Sequence, residues 1–321
     1  MPSDVLMQIS GLKKYYRSLN DSGRRAMVHA VDDVSFSIMR GETFGLVGES
    51  GCGKSTLGRT VLFLTPPTDG HVVFDGVNLT ERNIRPLRSR MQLIFQNPAG
   101  SLDPSMRIKD ILNEALIAAG QKLKGDARRD AVTEILESVG LTANDGERFP
   151  HQFSGGQQQR ISIARALAVK PDFLVCDEPI SSLDVSYLSQ IINLLEDLQQ
   201  ERGLTYLFIA HDLAVVRHIS TRIGVMYCGK MMELGDADTL CSSPSHPYTQ
   251  ALLASVPIPD PDATAGRTRI TLKGEPPSLI APPSGCRFRQ RCLYAEDICA
   301  RQEPVLRDDG TGHFCACHMV K

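Results

Sequence analysis

Long apolar runs, leader-type patterning at the N-terminus and a strong charge of either sign are all missing from this chain. No stretch approaches the roughly 18–20 consecutive apolar residues that a membrane-crossing helix needs. The first residues also lack the positive-then-apolar order of a secretory leader. A protein made and kept in the cytosol is therefore expected. The formal net charge is only -2 at pH 7, so there is no electrostatic footprint for DNA or RNA and no nucleic-acid partner is expected. The 321 residues suffice for one large domain with attachments.

Periodicity divides the chain. Residues 1–42 read as strands and turns, with Val34, Phe36 and Ile38 alternating against polar neighbours, as on an antiparallel edge. Thr43 to Val47 is a short apolar strand running into a glycine-rich loop, and Ser55 to Leu64 reads as the helix after it. From about 97 to 165 the spacing becomes helical, through Ile108, Ile111, Leu112, Ala115 and Leu116, then Val132, Ile135, Leu136 and Val139, with Asp126 as a cap. Strands resume at Phe173–Cys176 and Leu207–Ala210, both short and apolar, as for parallel strands covered on both faces. Seven prolines fall between Pro257 and Gly285, a composition that favours extended linker. The expected domains are thus 1–256, a linker 257–285 and a cysteine-rich module 286–321.

The loop Gly48-Glu49-Ser50-Gly51-Cys52-Gly53-Lys54-Ser55-Thr56 fits GxxxxGK[ST] between a strand and a helix. Glycines let successive backbone N–H groups turn onto phosphates, the helix N-terminus adds its dipole, and lysine adds a point charge. Lys54 is expected on the β- and γ-phosphates and Ser55 on Mg²⁺. Asp177 and Glu178 end the strand Phe173–Cys176, at the edge where open α/β sheets bind ligands. Asp177 suits the magnesium shell and Glu178 a water-activating base. His211 ends the strand Leu207–Ala210 in the same way and suits a γ-phosphate contact. Alone it would read as a surface pair with Asp212. Gln96, after Met91–Phe95, suits the metal and the attacking water.

These strings, together with Phe153-Ser154-Gly155-Gly156-Gln157 and Ser182-Leu183-Asp184, resemble the ATP-binding subunits of ABC transporters from near the N-terminus to about residue 256. The resemblance implies a P-loop NTPase (RecA-like) α/β core sheet with an antiparallel β edge and an inserted α-helical subdomain. It implies Walker A at 48–56, the Q-loop at Gln96, the signature at 153–157, Walker B at 173–178, the D-loop at 182–184 and the switch histidine at His211. Tyr16 takes the place of the residue that stacks on adenine, with Tyr15 a close competitor. Phe153 stands where most members have leucine. A head-to-tail dimer is implied, with Lys54 of one subunit facing Ser154, Gly155, Gly156 and Gln157 of the other across ATP. Repair members of the superfamily carry coiled-coil insertions and translation members a second nucleotide domain, and this sequence has neither.

A narrower resemblance, to the dipeptide/oligopeptide importer subfamily, rests on Phe95–Pro104, on Ser245–Leu253 and on the cysteine tail. Nickel-type importers are its near relatives. Gly48–Arg59 and Leu87-Arg88 are more similar to the second, F-type ATPase of a two-ATPase pair. Implied partners are a homologous ATPase, two transmembrane permease subunits and an extracytoplasmic peptide-binding protein, with this chain peripheral on the cytoplasmic face of the inner membrane.

Nine cysteines are many for a reducing compartment, and five lie in the last 36 residues. Disulfides being disfavoured there, metal ligation leads. Spacing leaves the metal open between iron–sulfur and zinc, with His313 and His318 nearby. The subfamily resemblance implies a [4Fe–4S] cluster on Cys286, Cys292, Cys299 and Cys317, with Cys315 an alternative fourth ligand.

Overall fold

The computed structural model describes residues 4–19, 23–179, 185–255, 272 and 274–320. The chain divides into two compact units, Met1–Leu79 with Phe208–Lys321, and Thr80–Leu207.

The first unit opens with two long strands, β1 (Val5–Leu19) and β2 (Arg25–Met39), paired antiparallel. Strand β3 (Thr43–Val47) is buried along its whole length and leads through the glycine loop into helix α1 (Lys54–Val61). Strands β4 (Asp69–Phe74) and β5 (Val77–Asn78) complete an antiparallel sheet in the order β2, β1, β4, β5. Val34, Phe36 and Ile38 of β2 and Val72 and Phe74 of β4 are buried at alternate positions, as half-covered strands require.

The second unit holds α2 (Ile84–Leu87), β6 (Met91–Ile94), α3 (Pro98–Ser101), α4 (Ile108–Ala118), α5 (Gly125–Glu137), α6 (Gly155–Leu167), β7 (Phe173–Asp177) and α7 (Val185–Arg202). Strands β6 and β7 run parallel. Helices α4 and α5 bury the residues whose spacing announced them, Ile108, Ile111, Leu112 and Leu116, then Val132, Ile135 and Leu136. Asp126 does not cap α5. Lys124 is the extended cap residue, so Asp126 lies in the first turn, where its charge complements the helix dipole instead.

The chain returns to the first unit within β8 (Thr205–Ile209). There follow α8 (Leu213–Ile219), β9 (Arg222–Tyr227), β10 (Lys230–Asp236), α9 (Ala237–Ser242), α10 (Pro247–Ser255) and the short strands β11 (Arg307–Asp308) and β12 (Phe314–Cys315). The order β11, β12, β10, β9, β3 runs across this sheet, with β3 and β9 parallel. The cysteine-rich segment is therefore tied into the sheet and into an aromatic cluster. Strand β12 pairs with β10, Glu233 facing Cys315, and Phe288, 1% exposed, packs on Tyr227 and Tyr248. Most of the proline-rich stretch lies outside the described residues. Among the described residues no helix is long and apolar enough to cross a membrane.

Candidate active site

In the first unit the glycine loop joins the buried end of β3 to α1. Gly48 and Gly53 have φ of 154° and 110°, and a Cβ on either would collide with a backbone oxygen, that of Met226 or Ala30. Only glycine fits there, since both the backbone conformation and the close approach exclude a side chain. Gly51, also at positive φ, is exposed with Ser50. Gly53 sits at the helix N-cap without a side chain to spend on capping, which leaves the first amides of α1 for an anion. Ser55 and Thr56 stand half-buried in that turn. Lys54 is 4% exposed, and its ammonium donates to the Gly48 carbonyl at 2.6 Å and the Glu49 carbonyl at 3.1 Å. Burial pushes the neighbouring Cys52 thiol up, against the pull of Lys54, so Cys52 fills the loop as a neutral thiol.

The loop is braced from afar. The Tyr248 hydroxyl accepts the Glu49 N–H at 2.8 Å, and Arg291 donates to the Glu49 carboxylate at 2.6 Å. At the edge of β3, the Ala210 N–H donates to the Leu46 carbonyl at 3.2 Å, so the end of β8 lies beside the strand that feeds the loop. His211 follows, exposed. The neighbouring Asp212 carboxylate caps α8, accepting the Ala214 N–H at 2.8 Å. Tyr15 is engaged structurally: its hydroxyl donates to Asp32 and its ring lies 4.3 Å from that of His29. Tyr16 is 37% exposed, with the Lys14 ammonium over its ring.

In the second unit, Asp177 is 2% exposed at the carboxyl end of β7. The β6–β7 register sets Ile94 opposite Cys176, which brings Gln96 and Glu178 to the same level, two residues further along each strand. The Gln96 amide donates to the Glu178 carboxylate at 2.7 Å. Glu178 itself is at φ 45°, a conformation uncommon outside glycine that marks a sharp exit from the strand.

The signature opens α6 through a reciprocal capping box. The Ser154 side chain accepts from the Gln157 N–H, and the Gln157 side chain accepts from the Ser154 N–H at 3.1 Å. Ser154 and Gly155 are exposed, so the helix N-terminus faces outward. A Cβ on Gly156 would come within 2.6 Å of the Tyr187 ring of α7, which explains glycine at that place. Phe153 is buried with the Arg148 guanidinium 4.1 Å from its ring centre, a cation–π contact that leucine could not make. Asp184, with the rest of the D-loop, lies outside the described residues.

The tail thiols feel one another. Burial pushes Cys286 up to about 11, and the charges of Cys299, Cys292 and Cys317 add to it. Cys292 is raised by burial too, with Cys317 and Cys299 contributing. Cys315 instead lies on β12 across from Glu233. Among the described residues no three His, Cys, Asp or Glu side chains converge tightly enough to hold a single metal ion.

Sequence reasoning missed Arg291 as a partner of the loop, and no local signal could have found it, since 242 positions separate it from Glu49. Tyr248 lay within a segment already singled out, but nothing in that string says its hydroxyl reaches the loop.

Residues 31–181 match the family model described as ABC transporter, and residues 232–299 match the oligopeptide/dipeptide transporter C-terminal region. The oligopeptide transport ATP-binding protein AppF of Bacillus subtilis is 48% identical, covering 98% of this chain and 98% of that one. The oligopeptide transport ATP-binding protein OppF of Haemophilus influenzae is 44% identical, covering 99% and 98%. Among solved structures, the dimeric ATP-binding cassette MJ0796 bound to ADP and phosphate superposes with a TM-score of 0.63 at 28% identity, covering 72% of this chain and 98% of that one. With its glycine loop, its carboxylate pair and its signature helix all in place, the chain belongs to the ABC transporter ATP-binding proteins, the ABC ATPases.

Proposed function

We propose that the chain hydrolyses ATP to drive uptake of dipeptides and oligopeptides through a membrane importer. The observation that carries the ATPase reading is the Gln96–Glu178 hydrogen bond at 2.7 Å, which holds a carboxylate at a strand end in a defined orientation. The peptide class is supported by likeness along nearly the whole chain to relatives named for oligopeptide transport.

Lys54 and the amides opening α1 bind the β- and γ-phosphates, and Tyr16 stacks on adenine while Tyr15 stays bound to Asp32. Glu178 takes a proton from the attacking water as the oxygen bonds to the γ-phosphorus and the bond to ADP breaks. Gln96 aims the carboxylate, and His211 donates to the γ-phosphate oxygens. Ser154, Gly155, Gly156 and Gln157 of one ATPase subunit, with Asp184, complete the site of the other. Charge developing on the phosphoryl group is met by fixed donors rather than by mobile water.

Ser55 in the first unit, and Gln96 and the buried Asp177 carboxylate in the second, each carry an oxygen donor of the kind magnesium takes. When bound, the ion neutralises charge on the β- and γ-phosphates. The subfamily resemblance assigns the thiols of Cys286, Cys292, Cys299 and Cys317 to a [4Fe–4S] cluster, for which cysteine thiolates are the usual ligands. When bound, the cluster cross-links four points of the tail. Cys317, unlike Cys315, is among the thiols whose charge acts on both Cys286 and Cys292, which favours Cys317 as the fourth ligand.

The proposed assembly contains a second, homologous ATPase as head-to-tail partner, two permease subunits that place the chain at the cytoplasmic membrane face, and an extracytoplasmic peptide-binding protein. Capture of the chain from gently solubilised membranes, followed by reconstitution into ATP-loaded vesicles, tests this. Co-purified permeases and ATP-dependent uptake of a labelled tripeptide are expected. Uptake of nickel but no peptide would overturn the peptide assignment, and capture without permeases would overturn the transport reading.

A further inference from the structure

The segment 286–292 reaches the nucleotide loop by two independent routes within the first unit. Arg291, 9% exposed, donates to the Glu49 carboxylate at 2.6 Å and to the Tyr227 hydroxyl at 3.4 Å. Glu49 is thereby held at three points, since its N–H goes to Tyr248 and its carbonyl accepts from the Lys54 ammonium at 3.1 Å. Arg287, 6% exposed, donates to the Cys228 carbonyl at 3.1 Å and pairs with Asp32. The next residue, Gly229, donates its N–H to the Cys52 carbonyl of the loop at 2.9 Å. Phe288, between the two arginines, is packed edge-on against Tyr227 at 5.3 Å. An apolar anchor flanked by two buried cations therefore grips both sides of the loop.

The geometry points to Arg291 as a positioning residue of the nucleotide loop, acting through Glu49 on Lys54, with Arg287 as its second anchor. A loop of three glycines at positive φ is free to collapse or splay, and fixing Glu49 from outside restricts the amides and the lysine to the phosphate-binding shape. Preorganisation of this kind is read in substrate affinity, because a floppy loop must be ordered by the ligand itself. Chemistry after binding uses Glu178 and is left largely alone. This inference rests on the ATP reading given above.

Steady-state ATPase measurements on the intact transporter test it, with Arg291→Ala, Arg291→Lys, Glu49→Gln, the Arg291→Ala/Glu49→Gln double variant and Arg301→Ala. Arg301 is a tail arginine paired at the surface with Asp297. Losing a hydrogen bond between charged groups predicts a rise of about ten-fold in KM for ATP in Arg291→Ala, with kcat changed much less. Lysine should recover part of the loss. Glu49→Gln should raise KM similarly, and the double variant should be no worse than either single one, as for residues sharing one interaction. Arg301→Ala should match the unmodified protein. An unchanged KM in Arg291→Ala, or effects of Arg291→Ala and Glu49→Gln that multiply, would overturn the proposal. If Arg291→Ala fails to assemble, Glu49→Gln decides, and an unchanged KM there overturns it. Unmodified transporter that does not turn over MgATP would bring down the ATP reading and this inference with it. Normal turnover with unresponsive variants would bring down the inference alone.

Discussion

Gln96 and Glu178, 82 positions apart in sequence, are joined by a 2.7 Å hydrogen bond from side-chain amide to carboxylate. Parallel pairing makes this possible: β6 and β7 are in register at Ile94 and Cys176, so equal overhangs bring the two side chains level. The amide restricts the carboxylate to one orientation and leaves its second oxygen available for water.

Removing that restraint gives the first prediction. Gln96→Ala should lower kcat about ten-fold, within the range of a lost hydrogen bond to a charged group, and should change nucleotide affinity less. Binding of a fluorescent ATP analogue, measured beside turnover, separates the two quantities. Equal losses in both would mean that Gln96 serves binding rather than orientation.

Gly53→Ala should be far more damaging than its single methyl suggests. The backbone there is at φ 110°, and the new Cβ would meet the Ala30 carbonyl oxygen. A misfit backbone costs roughly 1–3 kcal/mol, and the collision forces the loop off β2. Loss of ATP binding with the fold retained by circular dichroism is expected, and near-normal affinity would contradict the collision.

Ser154→Ala removes one half of the capping box at α6. Destabilisation of about 0.5–2 kcal/mol is expected from the lost cap, read as a fall in the thermal midpoint of the isolated chain. Ser154→Asp should preserve the cap and stability, yet place a negative charge where the proposed γ-phosphate contact lies, so ATPase activity of the assembled transporter should fall while the midpoint holds.

Much of this site was legible in the sequence. The glycine loop and the carboxylates after a buried strand are local patterns, each needing only a few consecutive residues to be recognised. Asp212 shows where local reading stops. Beside His211 it looks like a partner, but helix α8 begins at the very next residue and the orphan Ala214 amide claims the carboxylate. Asp126 similarly has the composition of a cap but falls two positions after the actual cap residue, Lys124. Arg287, Arg291 and Tyr248 were illegible as braces because their partners are brought near only by folding of the sheet around β9 and β10. The apolar anchoring by Phe288 was hidden for the same reason, behind a cysteine pattern that drew attention to the thiols.

His246 provides a pH test of the packing beneath the loop. It is 1% exposed, its Nδ1 accepts the Tyr248 N–H at 3.0 Å, and it hydrogen-bonds the Ala316 backbone. Burial lowers its pKa to about 4. The unfolded chain binds the proton more readily, near pH 6.5, so the folded state is favoured fully above that pH and loses stability as pH falls toward 4. Between pH 7.5 and 5 this one group should remove about 2 kcal/mol. Denaturant titrations at the two pH values check the sign. A His246 ring signal that titrates near 6.5 in the folded protein would contradict it.

Glu178 is proposed as the base that activates the attacking water. Glu178→Gln keeps the shape and removes the base, so the transporter carrying it should bind MgATP normally while turnover falls by about 10²–10⁴-fold. Single-turnover hydrolysis of radiolabelled ATP, measured beside equilibrium binding on the same preparation, reads both quantities. ATP retained but unsplit is the predicted result. Hydrolysis at the unmodified rate with ATP bound would contradict the assignment of the base.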